Sequence, residues 1–234
     1  MNSKFNKQIL ENIFEWDVNN WAPAINCWEK YLPTNKETCE TLEIGGGING
    51  GLSLWLAMSG CNVICSGLNN VKDHAIDIHV KYNVQSKILY QKINVLEIPY
   101  KNRFDIIAFK SVLGALSNLS AQKVAIEQIF KALKPGGFLF FAENLVATPI
   151  HSYLRKMYGA GKNGWTYINY KDTPYLFDKF KFIETKTTGF LSCLVRNEYL
   201  RSKFSIIDKH LFDRFIPKAF RYIFWGVVQK EINS

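Results

Sequence analysis

No run of apolar residues in this chain approaches the ~20 needed to cross a bilayer, which argues against a transmembrane helix. The opening Met1-Asn2-Ser3-Lys4 lacks the basic-then-apolar pattern of a secretory leader. Cysteine is sparse: Cys27, Cys39, Cys61, Cys65 and Cys193 are odd in number, irregular in spacing and contain no CxxC pair. No disulfide framework and no metal site is expected, and a reducing, cytoplasmic compartment fits best. Internal repeats, low-complexity tracts and an obvious linker are missing too. With 234 residues, 47% hydrophobic and 21% charged, the composition is that of one globular unit and not of a disordered chain.

What the chain does have is uneven charge and one dense glycine run. Residues 1–150 carry 14 basic and 13 acidic side chains, whereas residues 151–234 carry 15 basic and 7 acidic. Such asymmetry directs the second part toward something anionic, against the plainer reading of solvated lysines. The glycine run is Thr41-Leu-Glu-Ile-Gly-Gly-Gly-Ile-Asn-Gly-Gly51, five glycines in eleven residues.

Around it the pattern alternates. Helical spacing covers 5–31, broken at Pro23. Short apolar strands are expected at 41–44, 62–66, 88–93, 104–109 and 138–142. Helices are expected at 49–58, 71–81 and 121–133, and Lys134-Pro135-Gly136-Gly137 reads as a turn. Strands that lack period-two polarity and alternate with helices predict a doubly wound, mostly parallel sheet with helices on both faces. The tail breaks the rhythm with a helix at 173–180, a strand at 182–188, one helix face made by Phe204, Ile207, Leu211 and Phe215, and a last strand at 221–229. Ligands of such a sheet lie beyond the carboxyl ends of its strands, where the glycine run falls.

Bare backbone at a strand end lets a ligand touch main chain. A Walker loop is excluded because Gly51-Leu52-Ser53 offers no lysine after the last glycine. A dinucleotide fingerprint, readable as Gly45, Gly47 and Gly50, would need an acid closing the second strand, where Gly67 stands. Asn49 takes the place of a third glycine and is expected to carry a left-handed turn. S-adenosylmethionine remains, with Glu43 as the acid on the first strand.

Leu42-Glu43-Ile44-Gly45-Gly46-Gly47, Asn102-Arg103-Phe104-Asp105-Ile106-Ile107-Ala108 and Leu133-Lys134-Pro135-Gly136-Gly137-Phe138-Leu139 fall in the order and spacing of three family segments. By them the chain resembles the class I S-adenosylmethionine-dependent methyltransferases over about 35–188 and 220–230. The resemblance implies a Rossmann-like, seven-stranded sheet whose last strand is antiparallel. It leaves a helical cap over 1–34 and an insertion over 190–219. It also implies S-adenosylmethionine as cofactor and S-adenosylhomocysteine as product, held by Glu43, Gly45, Gly46, Gly47 and Asn49, with Leu68 and Asn69 at the ribose and Asn94 and Val95 at the adenine. Two departures stand out: Gly67 replaces the acid ending strand two, and Asn94 replaces the acid after strand three. Neutral acceptors there imply looser cofactor binding.

For the acceptor, Lys110-Ser111-Val112-Leu113-Gly114 lacks the Asn/Asp-Pro-Pro-aromatic signature of nucleobase nitrogen methylases, and no Pro-Cys follows strand four. The carboxylate cluster of a metal-dependent catechol enzyme is missing as well. An oxygen methylase remains, with His151 as general base. Lys110 and Ser111 stand at the carboxyl end of strand four, where cofactor and acceptor meet, with Lys110 facing the methionine carboxylate or an anionic acceptor. Arg155, Lys156, Lys162, Trp165 and Tyr167 set cations beside aromatics, which suits sugars and phosphates and reads as a lid over the acceptor. With Trp21-Ala22-Pro23, the tail resembles bacterial methyltransferases encoded beside surface-polysaccharide genes, implying a sugar hydroxyl. Two partners compete with this small-molecule acceptor. A nucleic acid is disfavoured because no RNA-binding module appears. A membrane surface could instead be met by the basic, aromatic tail, although packing of that helix on the sheet is the expectation.

Overall fold

The computed structural model describes residues 5–157 and 164–232. Seven strands, β1 (Glu40–Ile44), β2 (Asn62–Gly67), β3 (Ile88–Lys92), β4 (Phe104–Lys110), β5 (Leu133–Asn144), β6 (Lys181–Thr188) and β7 (Ile223–Gln229), form one sheet. Their order is β3-β2-β1-β4-β5-β7-β6. β1 to β5 run parallel, and β7 lies antiparallel between β5 and β6. The order reverses between β1 and β4, so their carboxyl ends form the crevice where ligands of doubly wound sheets bind.

The helices are α1 (Lys7–Phe14), α2 (Val18–Trp21), α3 (Pro23–Trp28), α4 (Gly51–Met58), α5 (Lys72–Lys81), α6 (Leu119–Ala132), α7 (Pro149–Met157), α8 (Thr173–Leu176) and α9 (Glu198–Ile207). Apolar residues cover both sheet faces. On one, Trp28 stacks on Phe140 at 6.0 Å and donates Nε1–H to Gly226 O at 3.0 Å, fastening the cap to the centre of the sheet. On the other, Phe141 stacks with Phe177 at 4.8 Å and tilts against Phe224. Each such pair contributes about 1 kcal/mol beyond its buried area.

The sequence reading needs four corrections. α4 starts at Gly51, not at 49, because Gly50 in the left-handed region ends the loop. Lys134-Pro135-Gly136-Gly137 is no separate turn: β5 runs through it, with Leu133 opposite Phe104 and the register resuming at Phe138 opposite Ile106. The helix expected over 173–180 is a single turn, α8. Finally, the helix carrying Phe204, Ile207, Leu211 and Phe215 does not pack that face on the sheet; Ile207, Leu211 and Phe215 are exposed.

Candidate functional site

The glycine loop is built from beneath by Glu43. α4 has no side-chain cap of its own, so its first N–H groups need an outside acceptor. Glu43, at the end of β1, accepts from Leu52 N at 3.0 Å, Ser53 N at 2.8 Å and Ser53 Oγ at 2.5 Å. Its carboxylate is buried, and desolvation pushes its pKa above the usual range against those bonds. Glu43 therefore holds the loop from inside and forms none of the cavity wall, which corrects its assignment as a direct ligand contact. Gly46 is likewise inside: a Cβ there would stand 3.0 Å from Cys65 Sγ.

Above the loop lies a cavity of about 460 Å³ at the carboxyl ends of β1, β2 and β4, within the usual range for small-ligand sites. The structure brings Gly45, Gly47, Leu68, Asn69, Asn94 and Val95 together in its wall. Gly45 and Gly47 have φ of 70° and 58° and are exposed, so bare main chain faces the space. Gly67 also lines it, and a Cβ there would approach Val71 Cγ2 at 2.6 Å, so no larger side chain fits that slot without repacking. Asn94 Oδ1 accepts from Leu96 N at 3.0 Å, which shapes the turn after β3.

Three expected residues lie elsewhere. Asn49 is not the left-handed residue; Gly50 is, at φ 54°, while Asn49 Nδ2 donates to Asn12 O at 3.2 Å. Lys110 donates Nζ–H to Phe14 O at 2.9 Å, the carboxyl end of α1, with the Trp16 and Trp21 rings each 5.6 Å away. It docks the cap and is not in the cavity wall. His151 is 1% exposed, its Nε2 is 2.8 Å from Phe190 O and its Nδ1 is 2.6 Å from Thr148 Oγ1. The carbonyl requires Nε2 to carry the proton, so Nδ1 accepts from the threonine. Burial lowers its pKa. With both nitrogens engaged and neither cavity reached, His151 is a strut between α7 and the segment after β6, not a base.

A second cavity, about 560 Å³, adjoins the first through Ser111, which lines both. Its wall combines Trp16, Trp165 and Tyr167 with Arg155, Arg196 and Arg201. Arg155 Nη1 donates to Leu145 O at 2.7 Å, and its guanidinium lies over the Tyr167 ring at 4.0 Å. Trp165 packs on Gly114, where a Cβ would stand 2.7 Å from its ring. Thr166 N donates to Gly114 O at 2.7 Å, so this stretch is pinned beside the site. Lys162, expected in the same stretch, lies outside the described residues.

Sequence reasoning missed Glu15 and Asn144, but set Ser111 at the carboxyl end of strand four. Ser111 holds φ 54°, a strained value for a non-glycine, and accepts from Asn144 Nδ2 at 3.0 Å. Glu15, also left-handed at φ 65°, puts Oε1 3.7 Å from the Cβ position of Gly47, at the cavity rim. Nothing in a one-dimensional pattern places the end of α1 over a loop thirty residues on.

The cap is tied to the tail by a buried polar network. Tyr222 donates to Asp17 Oδ2, and Asn20 Nδ2 donates to Asp17 Oδ1 at 2.9 Å and to Ser192 Oγ at 2.7 Å. Burial pushes the Asp17 carboxyl up to about 7, against the lowering bonds from Tyr222 and Asn20. The unfolded carboxyl releases its proton near 3.8 while the native one keeps it to about 7, so the native state binds more protons between those values. Stability should therefore fall as pH rises from 4 to 7, by about 4 kcal/mol from Asp17 alone. Denaturant melts at several pH values test this: Asp17→Asn should remove its own share of the slope and leave that of Glu143, whose carboxyl burial also pushes up to about 7, and an unchanged slope would remove Asp17 as a source.

A family profile described as a methyltransferase domain matches residues 23–180, well over half of the chain. The chain belongs to that family, the class I S-adenosylmethionine-dependent methyltransferases. No curated protein is a significant sequence match. Among solved structures, phosphoethanolamine N-methyltransferase 2 of Haemonchus contortus with S-adenosylmethionine is similar at TM-score 0.66 and 18% identity, over 96% of this chain and 56% of that one. This chain thus spans about half the length of that enzyme. A S-adenosylmethionine-dependent methyltransferase from Methanosarcina mazei gives 0.61 and 19%, over 88% and 97%. Geranyl diphosphate C-methyltransferase from Streptomyces coelicolor, with Mg2+, geranyl diphosphate and S-adenosylhomocysteine, gives 0.66 and 10%, over 98% and 86%. At these identities the likeness is one of fold.

Proposed function

We propose that this chain transfers a methyl group from S-adenosylmethionine to a hydroxyl of a small anionic acceptor, such as a phosphorylated or uronic sugar or a glycan precursor. The observation that carries this reading is the second cavity, cationic and aromatic, meeting the glycine-walled one at Ser111. The cofactor fits the first cavity by the cradle that glycine leaves: Gly45 and Gly47 take the methionine end, with Glu15 near its ammonium. Leu68 and Asn69 take the ribose, and Asn94 and Val95 the adenine. When bound, S-adenosylmethionine supplies an electrophilic methyl carbon on a sulfonium.

The chain's own work is then orientation for an in-line displacement. The arginines hold the acceptor's anion, and Trp165 and Tyr167 lie against its body. Ser111 accepts from Asn144 and so has its hydroxyl proton to donate at the junction. Burial raises the Tyr167 pKa, which keeps that phenol a donor and not a base. The acceptor's proton leaves to its own anionic group or to water. The substrates named for the Haemonchus and Streptomyces enzymes both carry phosphate, which supports an anionic acceptor on this fold.

Incubation with methyl-labelled S-adenosylmethionine and pools of neutral sugars, sugar phosphates, uronic acids and RNA tests the reading. Label should enter an anionic sugar pool. Transfer only to neutral sugars or to RNA would contradict it. Arg196→Gln should raise the acceptor KM by about 10-fold or more, the loss of one charged hydrogen bond, with cofactor affinity unchanged.

A further inference from the structure

The tail's positive charge is only partly taken up by the second cavity. α9 runs on through a π turn (Asp208–Phe212) to Phe215. Along it Tyr199 (69% exposed), Ile206 (54%), Leu211 (50%) and Phe215 (70%) stand in solvent, with Lys203, Lys209 and Arg214 exposed among them. These positions recur three to four residues apart, so most share one side. Lys203 Nζ lies 5.3 Å from the Tyr199 ring, and the Arg214 guanidinium 5.9 Å from the Phe215 ring.

Two of the three acids of the same segment turn the other way. Asp208 is fully buried and accepts from Leu191 N at 2.7 Å, Ser192 N at 3.0 Å and Ser192 Oγ at 2.5 Å. Asp213 accepts from Thr188 Oγ1 at 2.6 Å and Gly189 N at 3.1 Å. The third, Glu198 at the start of the segment, stays exposed, with its charge paired to Arg201 and one oxygen accepting from Asp17 N at 3.3 Å. A surface helix of a water-soluble domain buries its apolar stripe and exposes its charges of both signs. Here Asp208 and Asp213 are used inward as anchors, while large apolar side chains and cations are left outside.

We infer that this face docks on an anionic lipid bilayer. Rings and branched chains at its centre would enter the boundary between headgroups and acyl chains, and the lysines and arginine among them would reach lipid phosphates. The charge is strongly one-sided: three exposed cations stand among the apolar side chains, and the exposed acid of the segment, Glu198 at its start, is paired with Arg201. The same segment begins beside Val195, Arg196 and Arg201, which line the second cavity, so docking sets that opening near the bilayer. The inference rests on the exposed face alone and not on the reading of either cavity.

Vesicle flotation of the full chain tests it, with phosphatidylcholine alone and with about one-third phosphatidylglycerol added. The protein should rise with the anionic vesicles, stay behind with the neutral ones, and bind less at ~1 M salt, where the Debye length falls to about 3 Å. The triple variant Lys203→Gln, Lys209→Gln, Arg214→Gln should lose about 10²-fold in partitioning, at about 1 kcal/mol per cation. Leu211→Ser with Phe215→Ser should lose about 10-fold or more. All these side chains are exposed, so thermal melts of both variants should match the parent and separate lost docking from lost folding. No flotation with anionic vesicles, or equal flotation of the triple variant, would overturn the inference. A dimer in solution that Phe215→Ser splits would do so as well, by giving the face to a second copy. So would retention by RNA without vesicle binding.

Discussion

Gly47→Val is expected to weaken S-adenosylmethionine binding by about 10²-fold or more and leave the protein folded. Gly47 sits at φ 58°, where a β-branched residue is strained by about 1–2 kcal/mol. No protein atom blocks its side chain, since the nearest contact of a Cβ is Glu15 Oε1 at 3.7 Å. The added methyls therefore enter the cavity and take the space where a ligand would lie on main chain. Calorimetry reads the affinity, and a denaturant melt reads the smaller loss of stability. Gly60→Ala is the control: φ there is 103°, but a Cβ would meet only Lys36, away from the site. It should cost stability and leave affinity alone. If Gly47→Val bound the cofactor as tightly as the parent, the loop would not be the cradle.

Gly51→Ala should act on the fold itself. A Cβ at Gly51 would stand 2.1 Å from Ile13 O and 2.7 Å from Ile13 C, backbone atoms that no rotamer change can move aside. α1 would have to lift from the first turn of α4, carrying Glu15 and Trp16 with it. Overpacking of this kind costs about 3 kcal/mol or more. Urea denaturation should show that loss. Cofactor affinity should drop as well, because the end of α1 forms the rim of the first cavity and part of the wall of the second. An unchanged midpoint would mean that α1 does not lie on α4.

These two positions show what the sequence could and could not reveal. A glycine run after an apolar strand and before a helix has few physical explanations, so Gly45 and Gly47 were legible as bare wall. The strand–helix alternation similarly announced the sheet. Glu43 was legible as an acid at the right place, but not its direction: desolvation and three donors turn it toward the start of α4, beneath the loop. Lys110 and His151 failed for a related reason. Lys110 ends β4 and His151 follows β5, strands whose ends face the site, yet a side chain follows the best unsatisfied partner, here Phe14 O and Phe190 O, and neither partner is near in sequence.

The tail misled more instructively. Periodicity reports that a helix has an apolar side; it does not report which side is fastened down. Asp208 and Asp213 decide that, by bonding to the backbone of 189–192, and the apolar residues are consequently left outside. Ser111 was legible as a residue at the end of strand four, where cofactor and acceptor meet, but not its partner Asn144, which takes the ends of β4 and β5 in space at once. Its left-handed backbone, a strained state for serine, is held by Ser111 N donating to Ala142 O at 2.9 Å.

The central claim is that the glycine-walled cavity holds the methyl donor. Titration calorimetry of the unmodified chain with S-adenosylmethionine, and with S-adenosylhomocysteine, tests it most directly. One-to-one saturable binding of both is the predicted result. No heat with either at millimolar concentration would contradict it.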